Sequence, residues 1–286
     1  MRIKLEKRQT PSRLMLVATP VASVLLTMLI GVVVFDLIGI NGQKAVVDIF
    51  LTPLLASYKW QDVAVKAAPL IIIALGLSVG NRAQIWNIGA EGQYVIGALC
   101  AAGVGIAAGT AGGPLVITAM VLAGIVGGAA WAAGPAWLKT RFDVNEILST
   151  LMLTYVSYQV LGYLVGGPWK DPNGRNFPAT APLAENQTLP ILFPGSTVHL
   201  GVLIAVLLPF LFWLVMSRSV FGFQIRVVGS APHAARHGGF DAKQTVWAAL
   251  LIGGGMAGLG AAYETPTDDA MPDAFASILE RLPPEK

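Results

Sequence analysis

The residues best suited to chemistry lie in the segment from Asn81 to Gln93, NRAQIWNIGAEGQ, which stands between two apolar stretches. It places the amides of Asn87 and Gln93 and the carboxylate of Glu91 among glycines. Polar groups near membrane depth are costly unless they face a cavity or a partner, and transporters use such groups to contact their solute. We therefore predict that Asn87, Glu91 and Gln93 line a solute pathway. A solvated cytoplasmic turn is the alternative that the residues leave open.

Patterns typical of enzymes and metal sites are missing from the sequence. Neither HExxH nor a Ser/His/Asp set occurs. The single cysteine, Cys100, excludes a disulfide within the chain and a Cys-based metal site. His233 and His237 have helical spacing but no third ligand nearby. We expect no catalytic residue and no metal ion.

The elements that position these residues are membrane helices. Hydrophobic residues make up 55% of the chain and charged residues 12%, whereas a soluble domain carries about a quarter charged residues. A spanning helix needs about 20 mostly apolar residues. The fold class predicted is an all-α integral membrane protein, a polytopic bundle with seven helices at approximately 14–38, 64–80, 94–108, 114–138, 147–166, 200–216 and 246–262. The second and third stretches are short.

Glycines four residues apart recur in these apolar stretches and predict close approach of helix backbones. The pairs are Gly76 and Gly80, Gly105 and Gly109, Gly124 and Gly128, and Gly254 and Gly258. Gly253, Gly255 and Gly258 also spell GxGxxG, the dinucleotide-binding pattern, but no strand precedes them. Helix packing is therefore the favoured interpretation.

Lys and Arg fall mainly in alternate loops, which predicts a cytoplasmic N-terminus. The positive residues mark topology and form no stripe that would bind nucleic acid. The predicted organisation is a basic cytoplasmic N-terminus at 1–13, a transmembrane permease domain at 14–262 with an outer loop at 167–199 and a cytoplasmic loop at 217–245, and an acidic tail at 263–286.

Three segments in order resemble the permease subunits of the nucleoside and simple-sugar uptake branch of ABC transporters, relatives of the ribose and branched-chain amino acid permeases. They are NIGAEGQYVIGA after RAQIW, FDVNEILSTLMLTYV, and SVFGFQIRVVGSAPHAARHGGF. The resemblance implies an importer subunit with nucleosides favoured over simple sugars, and a role for Asn145 and Glu146 at a polar helix mouth. It also implies that the third segment docks on the ATPase, through Arg226, Gly229, Ala234, Ala235, Arg236 and Gly238. Ala231 and Phe240 depart from the family pattern.

The resemblance also predicts the partners. No GxxxxGK[ST] pattern occurs in the sequence, so we expect no cofactor in this chain and ATP bound by a separate cytoplasmic ABC ATPase. A second permease subunit, an extracytoplasmic solute-binding protein and membrane lipid complete the expected partners. The expected location is the bacterial plasma (inner) membrane.

Three alternatives stay open. A secondary transporter or channel would need no ATPase, and a seven-helix receptor would more often have its N-terminus outside. From Glu264 the chain becomes acidic and proline-bearing, and the resemblance decays near Ala261. We therefore hypothesise a truncated or frame-shifted permease, with an inactive remnant as the third alternative.

Overall fold

The computed structural model describes residues 12–56, 59–171, 180 and 182–264. Within these residues the chain is built of α-helices, with a π-helical segment at Val47–Leu51, a 3-10 turn at Glu185–Gln187, two isolated β-bridges and no strand. The helices are α1 (Arg13–Leu37), α2 (Gly42–Val46), α3 (Thr52–Leu55), α4 (Lys59–Arg82), α5 (Ala90–Ala108), α6 (Pro114–Phe142), α7 (Glu146–Gly166), α8 (Leu200–Arg218), α9 (Val220–Ser230), α10 (Pro232–His237) and α11 (Ala242–Glu264). The predicted N-terminus up to residue 11 and the tail from residue 265 lie outside the described residues.

Seven of these helices, in the described part of the chain, are long and apolar enough to cross a membrane: α1, α4, α5, α6, α7, α8 and α11. This confirms the predicted all-α polytopic fold and each of its seven positions. The expectation of a short second helix is wrong, because α4 has 24 residues. The predicted span starts at residue 64 because Lys59, Gln61 and Asp62 make the first turn of α4 polar.

The chain divides into two compact units, Met1–Val63 and Ala64–Lys286. In the first unit α1 is followed by a tight turn into α2. The Asp36 carboxylate accepts a hydrogen bond of 2.8 Å from the Gly42 backbone N–H. Asn41 caps α2 by accepting from the Lys44 N–H at 3.0 Å. Asp36 therefore fixes this turn, a local role that sequence inspection did not assign.

The core of the second unit is a glycine seam between α6 and α11. A Cβ atom added to Gly258 would lie 2.0 Å from the carbonyl oxygen of Gly124. One added to Gly128 would lie 2.2 Å from the carbonyl oxygen of Gly254. Only glycine allows this approach, so two of the four predicted glycine pairs pack against each other, as expected. The GxGxxG pattern lies inside α11, in agreement with the packing interpretation.

The third helix of this core is α5, which meets the same seam. A Cβ added to Gly97 would lie 2.5 Å from the Cα of Gly258. Glycines of the other two predicted pairs contact separate neighbours. Gly76 packs on Met256 of α11, and Gly105 packs near Leu183. The backbones of α5, α6 and α11 are therefore held closely together, which fixes the position of α5 along the axes of α6 and α11.

The turn from α6 to α7 explains two residues that the family resemblance had singled out. Asn145 is the N-cap of α7 and accepts from the Ile147 N–H at 2.9 Å. Glu146 lies 3.3 Å from the Lys139 ammonium, which also pairs with Asp143 at 3.2 Å. Side-chain caps of this kind satisfy the free N–H groups of a helix start. The contacts of Asn145 and Glu146 are therefore those of a structural turn.

At the opposite end of the bundle, the segment before α8 is tied to the α5–α6 turn. The Gln187 side chain is 2% exposed, and its amide nitrogen lies within 3.1 Å of the carbonyl oxygens of Gly105, Gly109 and Ala111. His199 caps α8 by accepting from the Gly201 N–H at 3.1 Å. Gln187 and His199 thus anchor this part of the predicted outer loop to the bundle, whereas residues 190–195 between them are exposed.

Candidate functional site

The segment that carries the predicted pathway residues joins two complete helices. Helix α4 ends at Arg82 and α5 begins at Ala90. Between them Ala83 and Ile85 are 5% and 6% exposed, and the Ile85 N–H bonds to the Gly80 carbonyl at 2.8 Å. These two side chains belong to a core shared with α6, α9 and α11. The connector therefore follows a buried path for part of its length.

Two of the predicted residues bind each other. The Asn87 amide nitrogen donates to Gln93 Oε1 at 2.8 Å, and the Gln93 amide nitrogen donates to Asn87 Oδ1 at 3.1 Å. Asn87 Oδ1 also accepts from the Gly89 N–H at 3.2 Å. Gln93 is 1% exposed, and a buried amide is costly unless it is paired. The pair closes the connector onto the first turn of α5.

The N-terminus of α5 lies partway along its neighbour α7 and is not level with the start of α7. A Cβ added to Gly89 would touch the Thr150 carbonyl, and one added to Gly92 would touch the Thr154 Cα. Thr150 and Thr154 stand four and eight residues beyond Glu146, where α7 begins. At 1.5 Å per residue, the first turn of α5 thus lies about 6–12 Å along α7. The first turn of α5 therefore starts inside the span of α7 and not at its end.

Glu91 points away from Asn87 and Gln93 and meets a residue of α7. The Tyr158 hydroxyl donates a hydrogen bond to Glu91 Oε1, across 67 residues of sequence. Both side chains are exposed in the described chain. Tyr158 stands twelve residues from the start of α7 and eight from its end at Gly166, so its backbone lies near the middle of that helix. Glu91 belongs to the first turn of α5, about 6–12 Å along α7.

The predicted pathway residues therefore form two groups. Asn87 and Gln93 make a half-buried amide pair, whereas Glu91 lies on the exposed side of α5. Tyr158 was missed by sequence reasoning, because nothing in its spacing links it to Glu91. A partial signal was available in α7, whose polar residues Ser149, Thr150, Thr154 and Ser157 recur at helical spacing and are buried.

The predicted docking segment forms the helices α9 and α10. Its six predicted residues divide by exposure. Arg226, Ala234, Arg236 and Gly238 are exposed in the described chain. Ala235 is 1% exposed, and a Cβ on Gly229 would lie 2.0 Å from the Arg82 carbonyl oxygen.

The inward residues attach the segment to the bundle, and the outward ones are available to a partner. Arg226 also donates to the Met216 carbonyl at the end of α8, so one of the outward residues also fixes α9. Within the described residues, no three His, Cys, Asp or Glu side chains lie together as metal ligands. His233 and His237 are both exposed on α10.

Comparison with known sequences identifies the protein class. The profile of the family described as "Branched-chain amino acid transport system / permease component" matches residues 60–274. The chain belongs to this family. The match covers α4 to α11 and extends past Ala261, where the resemblance was expected to end.

Curated relatives of this permease include a glucose ABC transporter permease protein of Haloferax volcanii, which is 34% identical over 92% of this chain and 71% of its own length. A guanosine ABC transporter permease protein of Bacillus subtilis is 30% identical over 70% of this chain and 57% of its own length. A nucleoside ABC transporter permease protein of Lactococcus lactis is 24% identical over 85% of this chain and 69% of its own length. No solved structure matches the chain significantly.

These findings confirm the predicted family and location. The permease is a multi-pass protein of the plasma membrane, and as a member of a transport family it is not an enzyme. It spans 57% to 71% of the length of the three relatives. The activity of the whole transporter and the identity of its solute are therefore proposals.

Proposed function

We propose that this permease is the membrane-spanning subunit of an ABC importer that moves a nucleoside or a simple sugar by alternating access. Family membership supports the importer class. The observation that carries the pathway is the Glu91–Tyr158 pair, because an exposed carboxylate about 6–12 Å inside the span of α7 is costly against lipid. A water-filled passage removes that cost. Asn87 and Gln93 shape the connector beside it.

The family resemblance favours nucleosides as the solute, with simple sugars next. Relatives of both kinds align with the chain, at 34% identity for a glucose permease and 30% for a guanosine permease. The two solute classes share a hydroxylated sugar ring. We therefore propose a solute that carries such a ring and retain nucleosides as the first class to test.

The energy source in this proposal is a separate cytoplasmic ABC ATPase, which binds ATP. Its docking surface is the exposed side of α9 and α10, where Arg226 and Arg236 carry positive charge. Ala234 and Gly238 are small, exposed residues on the same segment and allow a partner to approach closely. A second permease subunit completes the passage, and an extracytoplasmic binding protein delivers the solute.

Co-purification tests the docking surface. Arg236→Glu reverses one exposed charge on α10, and we expect it to reduce the amount of ATPase that co-purifies with the permease at least several-fold. Arg141→Glu is the matched control, because Arg141 is also exposed but lies at the end of α6. Equal recovery of ATPase with both variants would reject α10 as the docking helix.

Uptake in cells tests the function itself. Cells that lack this locus receive the permease with its neighbouring ATPase and binding protein, and uptake of labelled guanosine and glucose is measured. The control carries an ATPase whose phosphate-binding lysine is substituted. We expect ATPase-dependent uptake of at least one solute. Uptake that persists with the substituted ATPase would favour a secondary transporter, and no uptake by a well-expressed chain would favour an inactive remnant.

A further inference from the structure

The Glu91–Tyr158 pair has a chemistry that fits hydroxylated solutes in particular. One carboxylate oxygen of Glu91 accepts from the Tyr158 hydroxyl, and within the described residues the other oxygen has no hydrogen-bond donor. An ionised carboxylate accepts hydrogen bonds through both oxygens. The free oxygen is therefore available to a hydroxyl group that enters from the exposed side.

The position of the pair limits what it faces. Tyr158 stands about 18 Å from the start of α7 and about 12 Å from its end, at 1.5 Å per residue. This places the Tyr158 backbone close to the middle of a membrane span, and Glu91, in the first turn of α5, lies about 6–12 Å along the same span. Ionisable side chains at that depth face a protein partner or a water-filled cavity. The exposed side of Glu91 and Tyr158 is therefore not a lipid surface.

The close approach of α5 and α7 holds the two groups in place. A Cβ on Gly92 would lie 2.8 Å from the Thr154 Cα and 3.1 Å from the Ser157 hydroxyl oxygen. Both α7 residues are buried, at 5% and 0% exposure. Because the backbones are this close, Glu91 reaches Tyr158 from the adjoining turn. A preorganised acceptor loses less entropy when a ligand binds.

We propose that Glu91 and Tyr158 form a site that recognises vicinal hydroxyl groups of the solute within the passage. The Glu91 carboxylate accepts from two neighbouring hydroxyls of a sugar ring, and the Tyr158 hydroxyl turns from Glu91 to the same ring. This assigns Tyr158 a role in solute specificity. The inference rests on the proposed importer function and deepens it by naming the chemical group that is recognised.

The test compares a solute that carries a vicinal diol with an analogue that lacks it. Complete transporter is assayed with guanosine against 2′,3′-dideoxyguanosine, or with glucose against its 2-, 3- and 4-deoxy analogues. The variants are Glu91→Gln and Tyr158→Phe, which keep the side-chain shapes. Since every assay uses the same binding protein, a change in the ratio of parent to analogue uptake arises in the permease.

We expect Glu91→Gln to lower the ratio of parent to analogue uptake about tenfold, because the amide has one neutral acceptor oxygen in place of the two charged oxygens of the carboxylate. Tyr158→Phe lowers it less, and in the same direction. Tyr155→Phe is the control, since Tyr155 is exposed one turn away and its hydroxyl makes no hydrogen bond in the described chain. We expect Tyr155→Phe to leave the ratio of parent to analogue uptake unchanged.

Two results would overturn the inference while the importer function stands. In one, wild type imports the solute and the variants keep its parent-to-analogue ratio. In the other, both variants lose parent and analogue uptake equally and unfold at lower temperature, which would make the pair a structural clasp between α5 and α7. Wild-type complex that imports neither guanosine nor glucose would remove the proposed function itself.

Discussion

The glycine seam between α6 and α11 makes a quantitative prediction about stability. In Gly258→Ala, the new Cβ would lie 2.0 Å from the Gly124 carbonyl oxygen, about 1.4 Å inside the ordinary contact distance of 3.4 Å. The obstructing atom is backbone, which cannot rotate away as a side chain does. The two helices must separate along a seam that also includes Gly128 and Gly254.

Overpacking of a well-packed core costs about 1–3 kcal/mol. For a chain of this size, that corresponds to a fall in unfolding temperature on the order of 2–12 °C. Gly162→Ala is the matched control, because Gly162 lies in α7 with nothing within 4 Å of an added Cβ. Alanine is the better helix former by up to about 1 kcal/mol, so this variant should be as stable as wild type or more stable.

The assay is the fraction of detergent-solubilised permease that stays monodisperse after heating, measured by size-exclusion chromatography over a temperature series. Two chemically identical substitutions should therefore have opposite or clearly unequal effects on the unfolding temperature. If Gly258→Ala unfolds at the temperature of Gly162→Ala or above it, the close approach of α6 and α11 is refuted.

Three further predictions concern single contacts. In a double-mutant cycle, Asn87→Ala and Gln93→Ala should show a coupling energy of about 0.6–1.7 kcal/mol, since the first change leaves the buried Gln93 amide unpaired and the second removes two hydrogen bonds from the half-buried Asn87. Trp247→Phe removes the 3.1 Å bond from the indole nitrogen to the Thr140 hydroxyl and should cost about 0.5–1.5 kcal/mol. Burial lowers the pKa of His199 below its usual 6.5, so the unfolded chain binds the proton first and stability should fall as pH drops below about 6.5.

Each of these has its own control. His199→Asn keeps a capping acceptor at the start of α8 without a titrating group, so its unfolding temperature should lose the acid-dependent decrease; an unchanged decrease would assign it to another residue. Additive effects in the Asn87 and Gln93 cycle would contradict the reciprocal amide pair. For the Trp247–Thr140 hydrogen bond, Thr140→Val should lower stability by a similar amount. If neither Trp247→Phe nor Thr140→Val lowers stability, this hydrogen bond does not stabilise the fold.

The membrane helices could be predicted because their signal is local. Seven apolar stretches each give one helix, and the glycine pairs in α6 and α11 predict close packing from their spacing alone. Helix ends were less predictable. Glu91 and Gln93 lie in the first turn of α5, yet a hydropathy scan starts that helix later because it rejects polar residues that the helix accommodates.

Side-chain partnerships were beyond the sequence because they depend on how helices rotate and stack. Gly229 and Arg236 belong to one predicted docking segment, but Gly229 packs on the Arg82 carbonyl while Arg236 is exposed. The contact of Glu91 with Tyr158 needs α6 to return the chain so that α7 lies beside α5. Neither result follows from residue type or spacing.

The most direct test of this account is solute transport by purified components. The permease, its ATPase and its binding protein are reconstituted in liposomes, and accumulation of labelled guanosine or glucose is measured with ATP on the side of α9 and α10. We expect accumulation that requires ATP and that falls in Glu91→Gln. Solute entry that is the same with and without ATP would contradict the proposed importer function. So would the absence of accumulation in a complex whose ATP hydrolysis still responds to the loaded binding protein.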